Sequence, residues 1–411
     1  MKYLLIILSF FAVANGGNLC AQKKYKPIKT YLKNKNGTEA LKAVEELRKD
    51  SVLCEDPKLY EYGKQAQILI NNVENEKAYL KQQYDTARFF NSVLGIYDYI
   101  LLCNAKEQHL LATRGKKMKY ARENQSLLHR YFNNLNAGAR FFYRNKKYAE
   151  AMPLLKHCVE VPQMAIWGSD KSATRDSLYL RNAYLHLRSS YQAGKFKEAF
   201  AFKDLLLADS TRLRERSLMY LTLSAEASGD SSAYTTYLET GLMSYPRQSF
   251  FFTRWADYWA SKGDFKLVLL GVDSLLRIDS TNVVLWEGRS LALLNLQRYE
   301  EAVEAAKHCL SVDSSAVEAN YYVGAAYCNL ASNVAIPGNV GSKTYKQAQN
   351  KRSGYYRLAR PYVERYRALR PEEKQRWAPL LYRIYFSLNL GAQFDEIDRL
   401  LNEPVKTPEQ K

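Results

Sequence analysis

Apolar residues recur along the chain at intervals of three and four, the spacing of one face of an α-helix; Ala40, Leu41, Val44 and Leu47 form one such stripe. The helical segments are punctuated at a fixed distance. Gly229-Asp230, Gly263-Asp264 and Gln297-Arg298 lie 34 residues apart, each after an apolar helical segment. Asp279-Ser280-Thr281 and Asp313-Ser314-Ser315 repeat the interval, and Asp209-Ser210-Thr211 precedes the first of them by 70 residues. Each triplet can end one helix and offer a hydroxyl or carboxylate to cap the next. In the first helix of each unit a large residue is followed by a small one, as in Trp286 and Ser290, Phe252 and Ala256, Leu135 and Ala139. After a short turn an aromatic precedes Ala by three residues: Tyr148 and Ala151, Phe196 and Ala199, Tyr299 and Ala302. Tyr356 and Ala359 echo this in a divergent unit that ends at Pro371, as Pro246 ends an earlier one. Alternating large and small positions let helices stack closely.

A 34-residue unit of two amphipathic helices with these positions resembles the tetratricopeptide repeat (TPR), here in an exported bacterial protein. The resemblance implies an all-α chain, a right-handed α-solenoid of TPR-like helical hairpins. Residues 131–330 carry the repeats, with a longer connection over Met164 to Asp176. Residues 22–130 are a divergent helical-hairpin region, and 331–344, with their Pro, Gly and Asn, read as a loop insertion. Residues 345–411 hold a divergent repeat and a capping hairpin from Trp377 to Leu401, all in one continuous array.

Residues 1–21 read as a secretory signal. Lys2 supplies the positive start and Leu4 to Ala14 an apolar run too short to span a bilayer. Cleavage is expected after Ala21, with Ala14 as the alternative. Leu19 directly before Cys20 spoils a lipobox, which needs a small residue there. No other stretch is apolar enough for a transmembrane helix. The expectation is an exported, soluble protein of the periplasm or cell envelope.

Composition then narrows the chemistry. With only 19 Gly and 11 Pro in 411 residues, an all-β fold of many tight turns is excluded. The mature chain keeps five cysteines (Cys54, Cys103, Cys158, Cys309 and Cys328), too few for a disulfide scaffold and odd in number. Phosphate-loop, nucleophile-elbow, zinc-protease and C-x-x-C motifs are absent, and five histidines leave little for a metal or acid–base centre. Lys156-His157-Cys158 and Lys307-His308-Cys309 are the exception in appearance. Both fall where the repeat places a small buried residue. The expectation is that the thiols pack in the core while each histidine, about 100° round the helix, points elsewhere and is dispensable. No enzyme, cofactor or metal is expected.

Charge points to a partner. The formal net charge is +18, and residues 106–147 hold 11 Lys and Arg against 2 acids, residues 343–376 hold 11 against 3. After loss of Lys2 these stretches carry the whole excess. Export makes nucleic acid an unsuitable partner, so the anionic candidates are an acidic protein or peptide, or an anionic envelope polymer. The resemblance implies a non-enzymatic scaffold with a concave groove for a protein or peptide; a SusD-like glycan-binding module is the alternative. The TPR groove face falls on Asn133, Asn136, Arg140, Tyr143 and Arg144, then on Arg181, Tyr184, Arg188 and Tyr191. The set does not reproduce the carboxylate clamp of chaperone-binding TPRs. Should the groove not be the site, the basic segment 343–376 is the next candidate.

Overall fold

The computed structural model describes residues 23–402. The expected leader, Cys20 and the cleavage point at Ala21 lie outside the described residues, as do residues 403–411. The chain is all-α, built of TPR-like antiparallel helical hairpins, and no strand occurs among the described residues. It divides into two compact units at Tyr234 and Thr235.

The first unit opens with α1 (Lys26–Lys33) and α2 (Gly37–Leu47), followed by the long α3 (Pro57–Tyr79) and α4 (Thr86–Arg114). Local chemistry sets these starts. Asn36, Asp56 and Asp85 each accept a hydrogen bond from a first-turn backbone N–H, and Pro57 needs no partner at the first helical position. Tyr25, Ile28, Val44, Leu59, Tyr62, Tyr99 and Cys103 form one core across all four helices. A buried Lys64 joins α3 to α5 (Ala121–Arg144), its Nζ 2.7 Å from Glu61, 3.2 Å from Glu123 and 2.9 Å from the Asn124 amide oxygen. Such a buried cation persists only because every side of it is answered.

From α5 onward the helices shorten: α6 (Tyr148–Glu160), α7 (Ser177–Gln192), a 3₁₀ turn running into α8 (Lys203–Leu207), α9 (Arg212–Ser228) and α10 (Ser231–Ser244), within which the division between units falls. Ala139, Ala151 and Ala199, the small positions of the repeat, are fully enclosed. The connection between α6 and α7 is not a plain loop. It holds two 3₁₀ turns, Val161–Gln163 and Ala165–Trp167, and a single helical turn, Ser172–Arg175.

The second unit continues through α11 (Ser249–Ser261), α12 (Phe265–Leu276), α13 (Val283–Asn295), α14 (Tyr299–Val312) and α15 (Val317–Ser332). It ends with α16 (Lys343–Leu369), α17 (Lys374–Ser387) and α18 (Gly391–Asn402). Ser290, Ala302 and Ala359 are buried as the repeat requires, and a side chain at Gly288 would meet the Phe252 ring at 2.8 Å. The interruption expected over 331–344 narrows to residues 333–342.

Two expectations need correction. Of the three Asp-Ser-Thr/Ser triplets only one caps a helix: Thr211 Oγ1 accepts from Leu213 N in α9. Asn282 caps α13 instead, one residue beyond its triplet. Asp279 and Asp313 spend their carboxylates on Thr281 and Ser315, closing the turn before the helix begins. The two Lys-His-Cys triplets also differ. Both thiols are buried, but His157 Nε2 lies 2.7 Å from Asp98 Oδ1 of α4, so it ties two helices rather than idling outside. His308 stacks on the Trp286 indole at 4.0 Å, on the surface.

Candidate functional site

In the first unit α5 and α7 both pack on α6, which brings the inner sides of α5 and α7 to one face. A pocket of about 380 Å³ opens between them. Its α5 wall is His129, Asn133, Asn136 and Arg140, spaced by three and four residues so that one helix side presents them all. Asn182 of α7 stands opposite, and Cys158 of α6 also lines the cavity from within the core. Burial pushes the Cys158 thiol well above its ordinary range, against the pull of the Arg140 charge. It is therefore a neutral wall atom and no nucleophile.

Asn136 and Asn182 join the two helices. Asn182 Nδ2 donates to Asn136 Oδ1 at 2.7 Å, and Asn136 Nδ2 donates to the Phe132 carbonyl at 3.0 Å. Asn136 was expected to read a ligand; its amide is instead consumed by the fold. Asn133 is exposed at the mouth and keeps that capacity.

The connection after α6 supplies the remaining wall. Trp167 is 2% exposed and lines the pocket. Its carbonyl oxygen accepts from Gln125 Nε2 at 3.0 Å and meets His129 Nε2 at 2.9 Å, so α5 holds the segment from two points. The His129 and Trp167 rings pack at 3.9 Å. Two acids stand at the mouth, both engaged by backbone. Asp170 accepts from Ser172 N and Oγ, which holds its carboxyl below the usual range, and Asp176 caps α7 through Leu178 N.

Beyond Arg140 the same side of α5 continues into an aromatic cluster. The Arg188 guanidinium lies 5.8 Å from the Tyr143 ring centre and 5.7 Å from that of Tyr220 in α9. Tyr184 and Tyr191 pack edge-on against Tyr220 at 6.1 and 5.6 Å. Burial raises the Tyr143 and Tyr184 hydroxyls above their usual range, so they stay protonated donors. Arg188 Nε is buried without a hydrogen-bond partner.

The nine residues expected on this face thus separate. Asn133, Asn136 and Arg140 line the pocket, and Tyr143, Tyr184, Arg188 and Tyr191 build the cluster. Arg144 and Arg181 are exposed and belong to neither. At Arg181 the pocket position is one residue further on, at Asn182. Sequence reasoning missed Trp167, His129 and Tyr220. A tryptophan inside an interruption of the repeat was the available signal for the first; nothing local marked the others. Among the described residues, Arg140, Arg144, Arg181 and Arg188 make no ion pair; in the basic segment 343–376 Arg360, Arg367, Arg370 and Arg376 are paired with glutamates, while Arg352, Arg357, Arg365 and the four lysines are not. Among the described residues no group of His, Cys, Asp and Glu is arranged to hold a metal, and no helix is long and apolar enough to cross a membrane.

No protein-family model matches the chain, and no curated protein matches it. Solved structures similar to it are helical repeats. The C-terminal part of a TPR repeat-containing protein from Cytophaga hutchinsonii is 14% identical, over 66% of this chain and 96% of that one, with a TM-score of 0.43. A tetratricopeptide repeat protein from Parabacteroides merdae is 10% identical, over 74% and 98%, with a TM-score of 0.26. The yeast Tom70 structure is 15% identical, over 94% and 89%, with a TM-score of 0.27. At these scores the likeness carries no argument; the fold stands on the helices themselves.

Proposed function

We propose that this protein is a non-enzymatic scaffold whose α5–α7 face holds an acidic segment of a protein partner in the cell envelope. The observation that carries the reading is the set of four arginines, Arg140, Arg144, Arg181 and Arg188, on two neighbouring helices without an acidic partner of their own. Cations left unanswered on one face attract an anionic chain and steer its approach. Arg188 between tyrosine rings, with Tyr184 and Tyr191 beside it, adds flat contact surface at low entropic cost. The leader expected over residues 1–21 supports an envelope setting.

The test is fluorescence anisotropy with a labelled peptide of alternating Glu and Ala, set against its Gln–Ala counterpart and an acidic polysaccharide. Wild-type protein should bind the Glu peptide, with affinity falling steeply as salt rises. Arg140→Glu with Arg188→Glu should abolish binding while circular dichroism stays helical. Unchanged affinity in that double variant moves the site to the basic segment 343–376, and preference for the polysaccharide replaces the protein partner with an envelope polymer. Intact mass of the exported protein tests the setting: a chain beginning at Gln22 supports it, and an acylated Cys20 overturns the soluble reading.

A further inference from the structure

Between Glu318 and Glu364 the chain has no acidic residue, yet it carries Lys343, Lys346, Lys351, Arg352, Arg357 and Arg360, all on α16. That helix packs inward through Tyr356, Ala359, Val363 and Tyr366, which are buried. At about 100° per residue its exposed positions fall on the opposite side, within an arc of about 160°. The arc carries Lys343, Lys346, Lys351, Arg357 and Arg365, and none of these has a carboxylate partner among the described residues. Arg365 spends one N–H on the Ser314 carbonyl, which leaves its charge unanswered. Arg360 and Arg367 lie outside the arc, and these are the arginines of the helix that find glutamates, Glu364 and Glu396. The fold thus neutralises the flanks of α16 and leaves its solvent side cationic. From Lys343 to Arg365 that side runs about 33 Å along the axis.

We infer that the solvent side of α16 rests on an anionic lipid surface, its five cations among the headgroup phosphates and its exposed leucines at the acyl boundary. The leucines choose the partner. Leu358 and Leu369 stand half exposed within the same arc as the cations. An acidic protein segment would answer the charges and leave these side chains in water, whereas a membrane interface accepts both, since long Lys and Arg side chains reach the headgroups while neighbouring apolar groups sink below them. The cations suit the same partner. Three of the five are lysines, point charges without the fixed fork that grips a carboxylate, and they are spread along a helix rather than gathered round one spot. With so little apolar surface the docking is electrostatic and reversible, each cation near the lipid raising affinity about fivefold. This surface lies in the second unit and does not depend on the acidic-partner reading of α5 and α7.

The experiment sediments the whole protein with vesicles of phosphatidylglycerol and phosphatidylcholine, and with vesicles of phosphatidylcholine alone. Wild type should bind the anionic vesicles and not the neutral ones, and should be released as salt rises. The triple variant Lys346→Gln, Lys351→Gln, Arg357→Gln changes exposed side chains only and should keep its helical circular dichroism while losing about a hundredfold in vesicle affinity. Arg140→Glu with Arg188→Glu should bind the vesicles as wild type does. Equal binding of wild type to neutral and anionic vesicles overturns the inference, and so does undiminished vesicle binding by the triple variant. If wild type ignores vesicles and the triple variant instead loses the Glu–Ala peptide, the α16 face belongs to an acidic protein and the lipid surface is wrong.

Discussion

Asn182 donates to Asn136 across 2.7 Å, a bond between two buried amides on helices that belong to successive repeats. It lies in the wall of the pocket that Arg140 and Trp167 also line. One contact therefore serves two ends. It satisfies polar groups that the core would otherwise penalise, and it fixes the separation of α5 and α7 on which the pocket's width depends.

Removing either partner should cost much of what removing both costs. Asn182→Ala leaves Asn136 Oδ1 buried without its donor, a loss of about 1–3 kcal/mol. Asn136→Ala should cost a similar amount, and the double variant clearly less than the sum of the two. Urea denaturation followed by circular dichroism measures each. Strict additivity would mean that the two amides do not act on each other in solution.

Acid should weaken the first unit through His186. Burial, and secondarily the Lys156 charge, lowers its pKa from 6.5 to about 4. The folded state therefore keeps the ring neutral while the unfolded chain takes up a proton below about pH 6.5. Stability from this group is complete above the unfolded value, declines as pH falls between about 6.5 and 4, and reaches a full loss of about 3 kcal/mol below that window. His186→Phe keeps a ring against Phe202, 5.0 Å away, and cannot titrate. Its melting temperature should fall less than that of wild type between pH 7 and pH 4. Parallel decline of the two would remove His186 as the cause.

The paired Lys-His-Cys triplets should behave unequally. Cys158→Ser and Cys309→Ser each bury a hydroxyl where a thiol fitted, at about 1–3 kcal/mol. Burial pushes the Cys309 thiol up to about 12, so neither cysteine should react with a mild alkylating agent in folded protein. His157→Ala breaks the contact with Asp98 and should cost about 1 kcal/mol, with Asp98→Ala adding little on top of it. His308→Ala loses only a surface stack and should stay within about 0.5 kcal/mol. Equal effects of the two histidine substitutions would contradict the difference between their surroundings.

What the sequence makes legible follows from period. Ala139, Ala151, Ala199 and Ala302 recur because each is the point where neighbouring helices come closest, and that requirement is written into spacing alone. The α5 stripe of Asn133, Asn136 and Arg140 is legible for the same reason. Its chemistry is not. Whether Asn136 is free to bind depends on Asn182, 46 residues later, and the environment of Arg188 depends on Tyr220 in yet another helix. The wall made by Trp167 falls outside the period altogether. Its place is set by a backbone carbonyl and by one glycine dihedral angle, neither of which leaves a pattern in a hydrophobic profile. The Asp triplets fail in the smaller sense that a cap and a turn use the same residue types, so Asn282 can displace its neighbours by one position.

That glycine offers the most direct control over the pocket. Gly168 has φ +90° and ψ −158°, a backbone region essentially closed to residues with a Cβ. A Cβ placed there would also stand 2.2 Å from Gln125 Nε2, the atom that donates to the Trp167 carbonyl. Gly168→Ala therefore imposes two separate penalties, a steric one on Gln125 and a dihedral one on the chain itself. Adding Gln125→Ala removes the first and leaves the second, at about 1–3 kcal/mol. The segment from Val161 to Asp176 should then exchange its amide hydrogens faster in the single variant, and the double variant should recover only part of the protection. Binding of the Glu–Ala peptide should weaken in step with that exchange, since a displaced Trp167 no longer forms a wall of the pocket that Arg140 also lines. Full recovery in the double variant would show that the Gln125 contact alone matters and that the left-handed backbone at Gly168 carries no strain of consequence.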